Sequence, residues 1–280
     1  MVTVNNNAQV VHKYGDRRIL PLATLGLTAG FIGGLLGIGG GVIIVPALVL
    51  ALGFSQHLAQ GTSLTALFMM SFVGTAAYLV NGQCNPLLGL QMGVGGAIGA
   101  LIGTKVAHRA RGRTLRLVLS AVLIYVAARM ISLALHGPAC DQAGCTGPKL
   151  AFGWAPALAG IGFTAGMLGS IVGVAGGFIT TPALVILLGI GQQTAQGISY
   201  AAMPLTLLVC VLAYRREDSI DLRSALRLGI AGTIGVILGA QLACSLSGPT
   251  LRFIFGVALV LISIMLAAKK EDTGKPTVGQ

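Results

Sequence analysis

The chain has 280 residues, of which 55% are hydrophobic, only 9% are charged and 42 are glycine, with a mean hydropathy of +0.88. A soluble globular domain carries about 25% charged residues, so the composition excludes one. The net charge of +11 does not point to nucleic acid, because the basic residues sit in short loops beside apolar runs rather than on a hydrophilic face, where they act as topology signals and lipid headgroup contacts.

A polar head over 1–18 contains no compact signal peptide with a small-residue cleavage site, so the first apolar run is expected to stay in the protein. Apolar segments follow at 19–37, 42–53, 56–80, 86–107, 114–135, 151–173, 178–189, 192–214, 222–243 and 250–268. Two of them, 42–53 and 178–189, are too short to cross a bilayer of about 30 Å as helices. All seven acidic residues, Asp16, Asp141, Glu217, Asp218, Asp221, Glu271 and Asp272, fall in the gaps between segments. The expected organisation is a cytoplasmic tail (1–18), a first membrane repeat (19–135), an extracytoplasmic linker (136–150), a second membrane repeat (151–269) and a cytoplasmic tail (270–280).

The two halves match each other at an offset of 136 residues. TAGFIGGLLGIGGGVIIVPALV from Thr28 aligns with TAGMLGSIVGVAGGFITTPALV from Thr164, and the alignment runs without a gap to 133 and 269 with 35 identities in 106 positions. A duplication of five segments follows. Basic residues near 13–18, 105–116, 215–223 and 269–275 all favour the cytoplasm, and the gap at 136–149 favours the outside. Each repeat must then cross an odd number of times, and the two halves are inverted. The loop charges alone leave open whether the short segments re-enter or cross fully. The expected fold is therefore an all-α integral membrane protein of two inverted repeats, each with a short glycine-broken hairpin segment, the pattern of a transporter with a midplane site.

The glycine runs mark that site. Gly37-Ile38-Gly39-Gly40-Gly41 precedes Pro46, and Gly173-Val174-Ala175-Gly176-Gly177 precedes Pro182. Unwound backbone at membrane depth persists only where it is buried in protein or lines a watery cavity. A helix restarting there presents unpaired N–H groups and a positive dipole end, which favour an anion. Close packing of small residues is the competing account of one such run, and two runs at equivalent breaks favour the binding site. No strand precedes either run and no acidic residue follows at the required distance, so nucleotide binding is set aside.

Polar residues follow each run at matching positions: Gln56, Gln60, Thr62, Ser63 and Thr65, then Gln192, Gln196 and Ser199, with Tyr200 where the first repeat has Leu64. Gln60 and Ser63, like Gln196 and Ser199, share a helical face and can donate to an oxyanion without fixed charge. The candidate site residues are Gly39, Gly40, Gly41, Gln60, Ser63, Ala175, Gly176, Gly177, Gln196, Ser199 and Tyr200. Arg129 lies inside an apolar run close to its outer end and is expected to snorkel, and Lys105 is open to the same reading. No two His or Cys share metal-ligand spacing, Cys140 and Cys145 are equally open to a disulfide or a free pair, and Cys84, Cys210 and Cys244 read as small apolar residues. No catalytic arrangement and no cofactor motif appears, so an enzyme is not expected.

GIGGGVIIVP with AQGTSL, and their second copies GVAGGFITTP with AQGISY, resemble the TauE/SafE family of bacterial membrane proteins over nearly the whole chain between the tails. The resemblance implies a multi-pass inner-membrane carrier, exporter or importer, for small sulfur-containing anions such as sulfite, sulfoacetate or related sulfonates. The departures Ala175 for Gly39 and Ser170 for Gly34 put exact equivalence of the two half-sites in doubt. A coupling proton or Na+ and a homodimer stay open. A non-transporting scaffold subunit, or a permease for another small anion, is the alternative, whereas a cation or water channel lacks an acidic ring or a repeated filter.

Overall fold

The computed structural model describes residues 19–107, 112–136, 155–174, 176–216 and 218–268. Among them are ten helices: α1 (Ile19–Leu36), α2 (Gly41–Leu50), α3 (Gln56–Val80), α4 (Pro86–Ala107), α5 (Gly112–His136), α6 (Ala155–Val172), α7 (Gly177–Leu188), α8 (Gln192–Arg215), α9 (Leu222–Ser245) and α10 (Gly248–Ala268). The tails and Cys140 and Cys145 lie outside the described residues.

Short polar side chains start the long helices. Asn85 Oδ1 accepts from Leu87 N at 3.1 Å and Leu88 N at 3.4 Å, and its repeat mate Asp221 accepts from Arg223 N at 3.2 Å and Ser224 N at 3.4 Å. α3, α4, α8 and α9 are long and apolar enough to cross a membrane. By contrast, α2 with 10 residues and α7 with 12 reach only about 15 and 18 Å.

The packing exchanges elements between the halves. α1 runs along α9 and α4 along α6 as the most extensive helix pairs, and α3 lies against α8 in the middle. In the first pair Gly26, Gly30 and Gly34 face Leu228, Gly232 and Val236; in the second, Gly95, Gly99 and Gly103 face Ala159, Phe163 and Met167. A Cβ on Gly30 would collide with the Gly232 carbonyl, and one on its mate Gly166 with the Gly96 carbonyl, so small residues set the approach of both pairs. The two repeats are thus not separable domains, since each supplies the neighbour of the other's first helix.

The same contacts fix direction. α1 runs parallel to α9, and Gly61 near the start of α3 abuts Ser219 in the α8–α9 loop, where Thr62 Oγ1 accepts from Asp221 N at 3.0 Å. The beginnings of α1 and α3 therefore share one end of the bundle. At the opposite end Gly197 near the start of α8 abuts Gln83, whose Oε1 accepts from Thr194 Oγ1 at 2.8 Å. Gly40 lies beside Ala29, eleven residues earlier, and Gly176 beside Ala165. The chain doubles back at each glycine run, so α1–α2 and α6–α7 are hairpins, each of which begins and ends at one end of the bundle. Outward-facing Ile98, Leu101, Ile230, Ile234, Leu238, Leu261 and Ile264 give α4, α9 and α10 the apolar face that a bilayer requires.

Candidate functional site

Each hairpin tip is a turn that only glycine adopts readily. Gly37 and Gly40 have φ of +72° and +81°, and their mates Gly173 and Gly176 have +81° and +71°. Gly37 N donates to Gly33 O at 2.9 Å and Gly173 N to Gly169 O at 2.9 Å, closing α1 and α6 in the same way. Gly40 and Gly176 then cap the returning helices. The first amides of those helices, on Gly41 and Val42 and on Gly177 and Phe178, have no acceptor among the described residues, as helix geometry dictates.

The two tips meet. A Cβ on Gly41 would lie 3.3 Å from Val174 Cα, and one on Gly177 would lie 2.8 Å from both Gly37 O and Ile38 Cα. Leu67 and Met203, near the middle of α3 and α8, pack against Gly39, Gly41 and Gly177. The junction therefore sits at half the height of the two central helices. Ala175 lies outside the described residues.

Gln60 and Gln196 reach across to the other half's tip. Gln196 packs against Gly37, donates from Nε2 to Leu35 O at 3.1 Å and accepts at Oε1 from Tyr78 OH at 3.0 Å; Tyr78 OH also lies 2.7 Å from Gly34 O. In mirror fashion Gln60 packs against Gly173, donates to Ile171 O at 3.5 Å and accepts from Tyr214 OH at 3.2 Å. The glutamines latch the tips to the opposite repeat. Sequence reasoning missed Tyr78 and Tyr214, although they stand at equivalent positions of the duplication and that coincidence was the available signal.

The serines differ. Ser199 Oγ lies 2.6 Å from Thr180 Oγ1 and 3.3 Å from Gly37 O, whereas Ser63 Oγ is fully buried without a partner. Thr180 has Ile44 as its mate, so the first half lacks the second hydroxyl. Tyr200 stacks on Tyr78 with ring centroids 5.7 Å apart, and its hydroxyl is buried and unpartnered. Beside Ser199 lies a cavity of about 10 Å3 bordered by Thr180, Thr206, Met92, Gly166 and Met203. That volume is at the lower limit for one water molecule, so the cavity has no room for a sulfonate. Thr180 and Thr206 also escaped the sequence reading, because their mates are Ile44 and Met70 and no repeat marks them.

Residues away from the junction are simpler. Arg129, Lys105 and His57 are exposed, and Cys210 is buried. Cys84, in the loop between α3 and α4, donates to Gly197 O at 3.4 Å, and burial pushes its thiol up to about 11, which keeps it protonated at neutral pH. Among the described residues no group of three His, Cys, Asp or Glu could hold a metal ion.

Known proteins place this architecture. The chain is 25% identical over 261 residues to the probable membrane transporter protein YunE of Bacillus subtilis, covering 88% of this chain and 96% of that one. It is 26% identical over 238 residues to a probable membrane transporter protein of Xylella fastidiosa, covering 84% and 89%. A probable membrane transporter protein of Methanocaldococcus jannaschii, MJ0441, is 28% identical over 123 residues, covering 40% of this chain and 46% of that one. No solved structure matches. A family model described as sulfite exporter TauE/SafE matches residues 2–130 and 158–279, and with nearly the full chain so covered, this protein belongs to the TauE/SafE family of membrane transporters.

Proposed function

We propose that the protein carries small sulfur-containing anions, such as sulfite, sulfoacetate or related organosulfonates, across the bacterial inner membrane by alternating access at the junction of the two hairpin tips. The observation that carries the reading is that two glycine turns from equivalent positions of the duplication meet at mid-height, each latched to the other repeat. Amides around Gly39 to Gly41 and Ala175 to Gly177 bind the anion through the positive ends of α2 and α7. The free hydroxyl of Ser63 is a donor ready for an oxyanion, and Ser199 occupies the equivalent position. Gln60 and Gln196 orient the anion once the tips part and their carbonyl partners are released. Tyr200 lies next to the Tyr78 latch and brings a second buried hydroxyl.

In this reading the repeats are inverted across the bilayer. Arg215, Arg216 and Arg223 flank the loop at the end where α1 and α3 begin, and the positive-inside rule assigns that end, with both termini, to the cytoplasm. The family's name supplies the substrate class. The test is flux of a sulfur-anion panel into proteoliposomes, with sulfate, phosphate and chloride as controls. The expected result is saturable flux of one or two sulfur anions. Equal, unsaturable leakage of every anion would contradict the proposal and favour a scaffold subunit.

A further inference from the structure

We propose that the cavity between Thr180, Ser199 and Thr206 is the site of a single monovalent cation of the size of Na+, coupled to anion movement at the adjacent tips. The inference rests on the transporter reading above, and it goes beyond it by naming the coupling ion and the hydroxyls that hold it.

Every hydroxyl proton around the cavity has an acceptor. Thr206 Oγ1 donates to Ala202 O at 3.2 Å. Thr180 and Ser199, 2.6 Å apart, share one bond in which either is the donor. If Thr180 donates to Ser199, then Ser199 donates to Gly37 O at 3.3 Å; if Ser199 donates to Thr180, then Thr180 donates to Gly177 O at 3.4 Å. Both arrangements use all three protons. What remains to face the cavity is lone pairs on three neutral oxygens, which attract a cation.

Size agrees with this polarity, and so do two of the three oxygen spacings. The cavity of about 10 Å3 has room for a water-sized particle and no more. A hard cation with bonds of about 2.4 Å in octahedral geometry has neighbouring oxygens about 3.4 Å apart. Gly177 O lies 3.4 Å from Thr180 Oγ1, which lies 2.6 Å from Ser199 Oγ, which in turn lies 3.3 Å from Gly37 O, and the two hydroxyls of this chain border the cavity. Thr181 Oγ1 adds a further oxygen 3.5 Å from Gly37 O. The Gly37 carbonyl extends the negative end of α1, whose last carbonyls lack helical donors. No carboxylate belongs to this oxygen cluster, so the site suits one charge rather than two.

The equivalent place in the first half lacks the threonine oxygens. Thr180, Thr181, Ser199 and Thr206 are matched there by Ile44, Val45, Ser63 and Met70, and the Met70 methyl fills the space against Gly232. One cation per transport unit follows. A cation held beside the anion would offset its charge and lower the cost of moving it through the closed middle of the bundle.

The test uses the full-length protein in detergent micelles. Thermal stability is titrated with NaCl, LiCl and KCl against choline chloride at constant ionic strength, for the wild type, Thr180→Val and Thr206→Val. The expected result is a saturable rise with Na+ that choline does not give, with half-saturation moved at least 10-fold higher in each variant. Thr206→Val keeps the shape of the side chain, so it reports on the oxygen even if Thr180→Val fails to fold. A Na+ response equal to choline, or one unchanged in Thr206→Val, would overturn the site. Repeating the titration with sulfoacetate as its choline and sodium salts separates the two readings. Stabilisation by sulfoacetate that is indifferent to Na+ sinks the cation site and leaves the anion site standing. A Na+ response lost in Thr206→Val, with no effect of any sulfur anion, does the reverse.

Discussion

The two hairpin tips share a backbone and differ in chemistry. Gly37 and Gly173, Gly40 and Gly176, and Gln60 and Gln196 occupy equivalent places with equivalent contacts. Around them the first half presents Ile44, an unpartnered Ser63 and Met70, and the second presents Thr180, a bonded Ser199 and Thr206 beside a small cavity. Duplication thus preserved what the turn needs and released the side chains that face the junction. The constraint on the glycines is steric and cannot relax, whereas a buried methyl and a buried hydroxyl fill similar volumes and exchange freely once their hydrogen bonds are satisfied.

The largest effect should come where the halves are alike. Gly40→Ala and Gly176→Ala each force a left-handed residue against the carbonyls of Ala29 and Ala165. Each should cost about 2–5 kcal/mol, read as a lowered unfolding midpoint in mild detergent titrated with SDS. A substantially smaller cost at one tip would break the equivalence.

The latches give a graded test. Gln196→Leu and Gln60→Leu each remove a bridge to the other repeat, at about 1–2 kcal/mol. A latch whose removal costs nothing would break the equivalence of the halves, since each glutamine bridges a tyrosine hydroxyl and a tip carbonyl. A double-mutant cycle with Tyr78→Phe and Tyr214→Phe isolates each pair.

The smallest effect separates the serines. Ser199→Ala should destabilise by about 1 kcal/mol, because it removes the hydroxyl bonded to both Thr180 and Gly37 O, while Ser63→Ala should leave stability unchanged or slightly raised. Transport should respond in the opposite order if the unpartnered Ser63 hydroxyl is the one that meets substrate.

Composition and the offset of 136 residues made the helical membrane fold and the glycine tips legible, because glycine spacing and hydropathy survive in both copies. The doubling back of α1–α2 and α6–α7 was not legible, since a hairpin that returns and a pair of full crossings give the same parity of loop charge. Nor was the exchange of α1 and α6 between halves, because glycine stripes say that a helix packs closely without saying against which neighbour. Tyr78 and Tyr214 were within reach of the alignment. Thr180 and Thr206 were not, because single hydroxyls in apolar helices carry no pattern until the fold sets them beside Ser199.

Cysteine accessibility at the junction tests the central claim most directly. With the five native cysteines replaced by alanine, Ser63→Cys and Ser199→Cys would be exposed to a membrane-impermeant thiol reagent from the cytoplasmic side and, separately, from the outside. Alternating access at the tips predicts labelling from both sides and slowing of both by sulfoacetate. Thiols inert from either side in protein that still transports, or labelled at a rate indifferent to sulfoacetate, would contradict a substrate path through the junction.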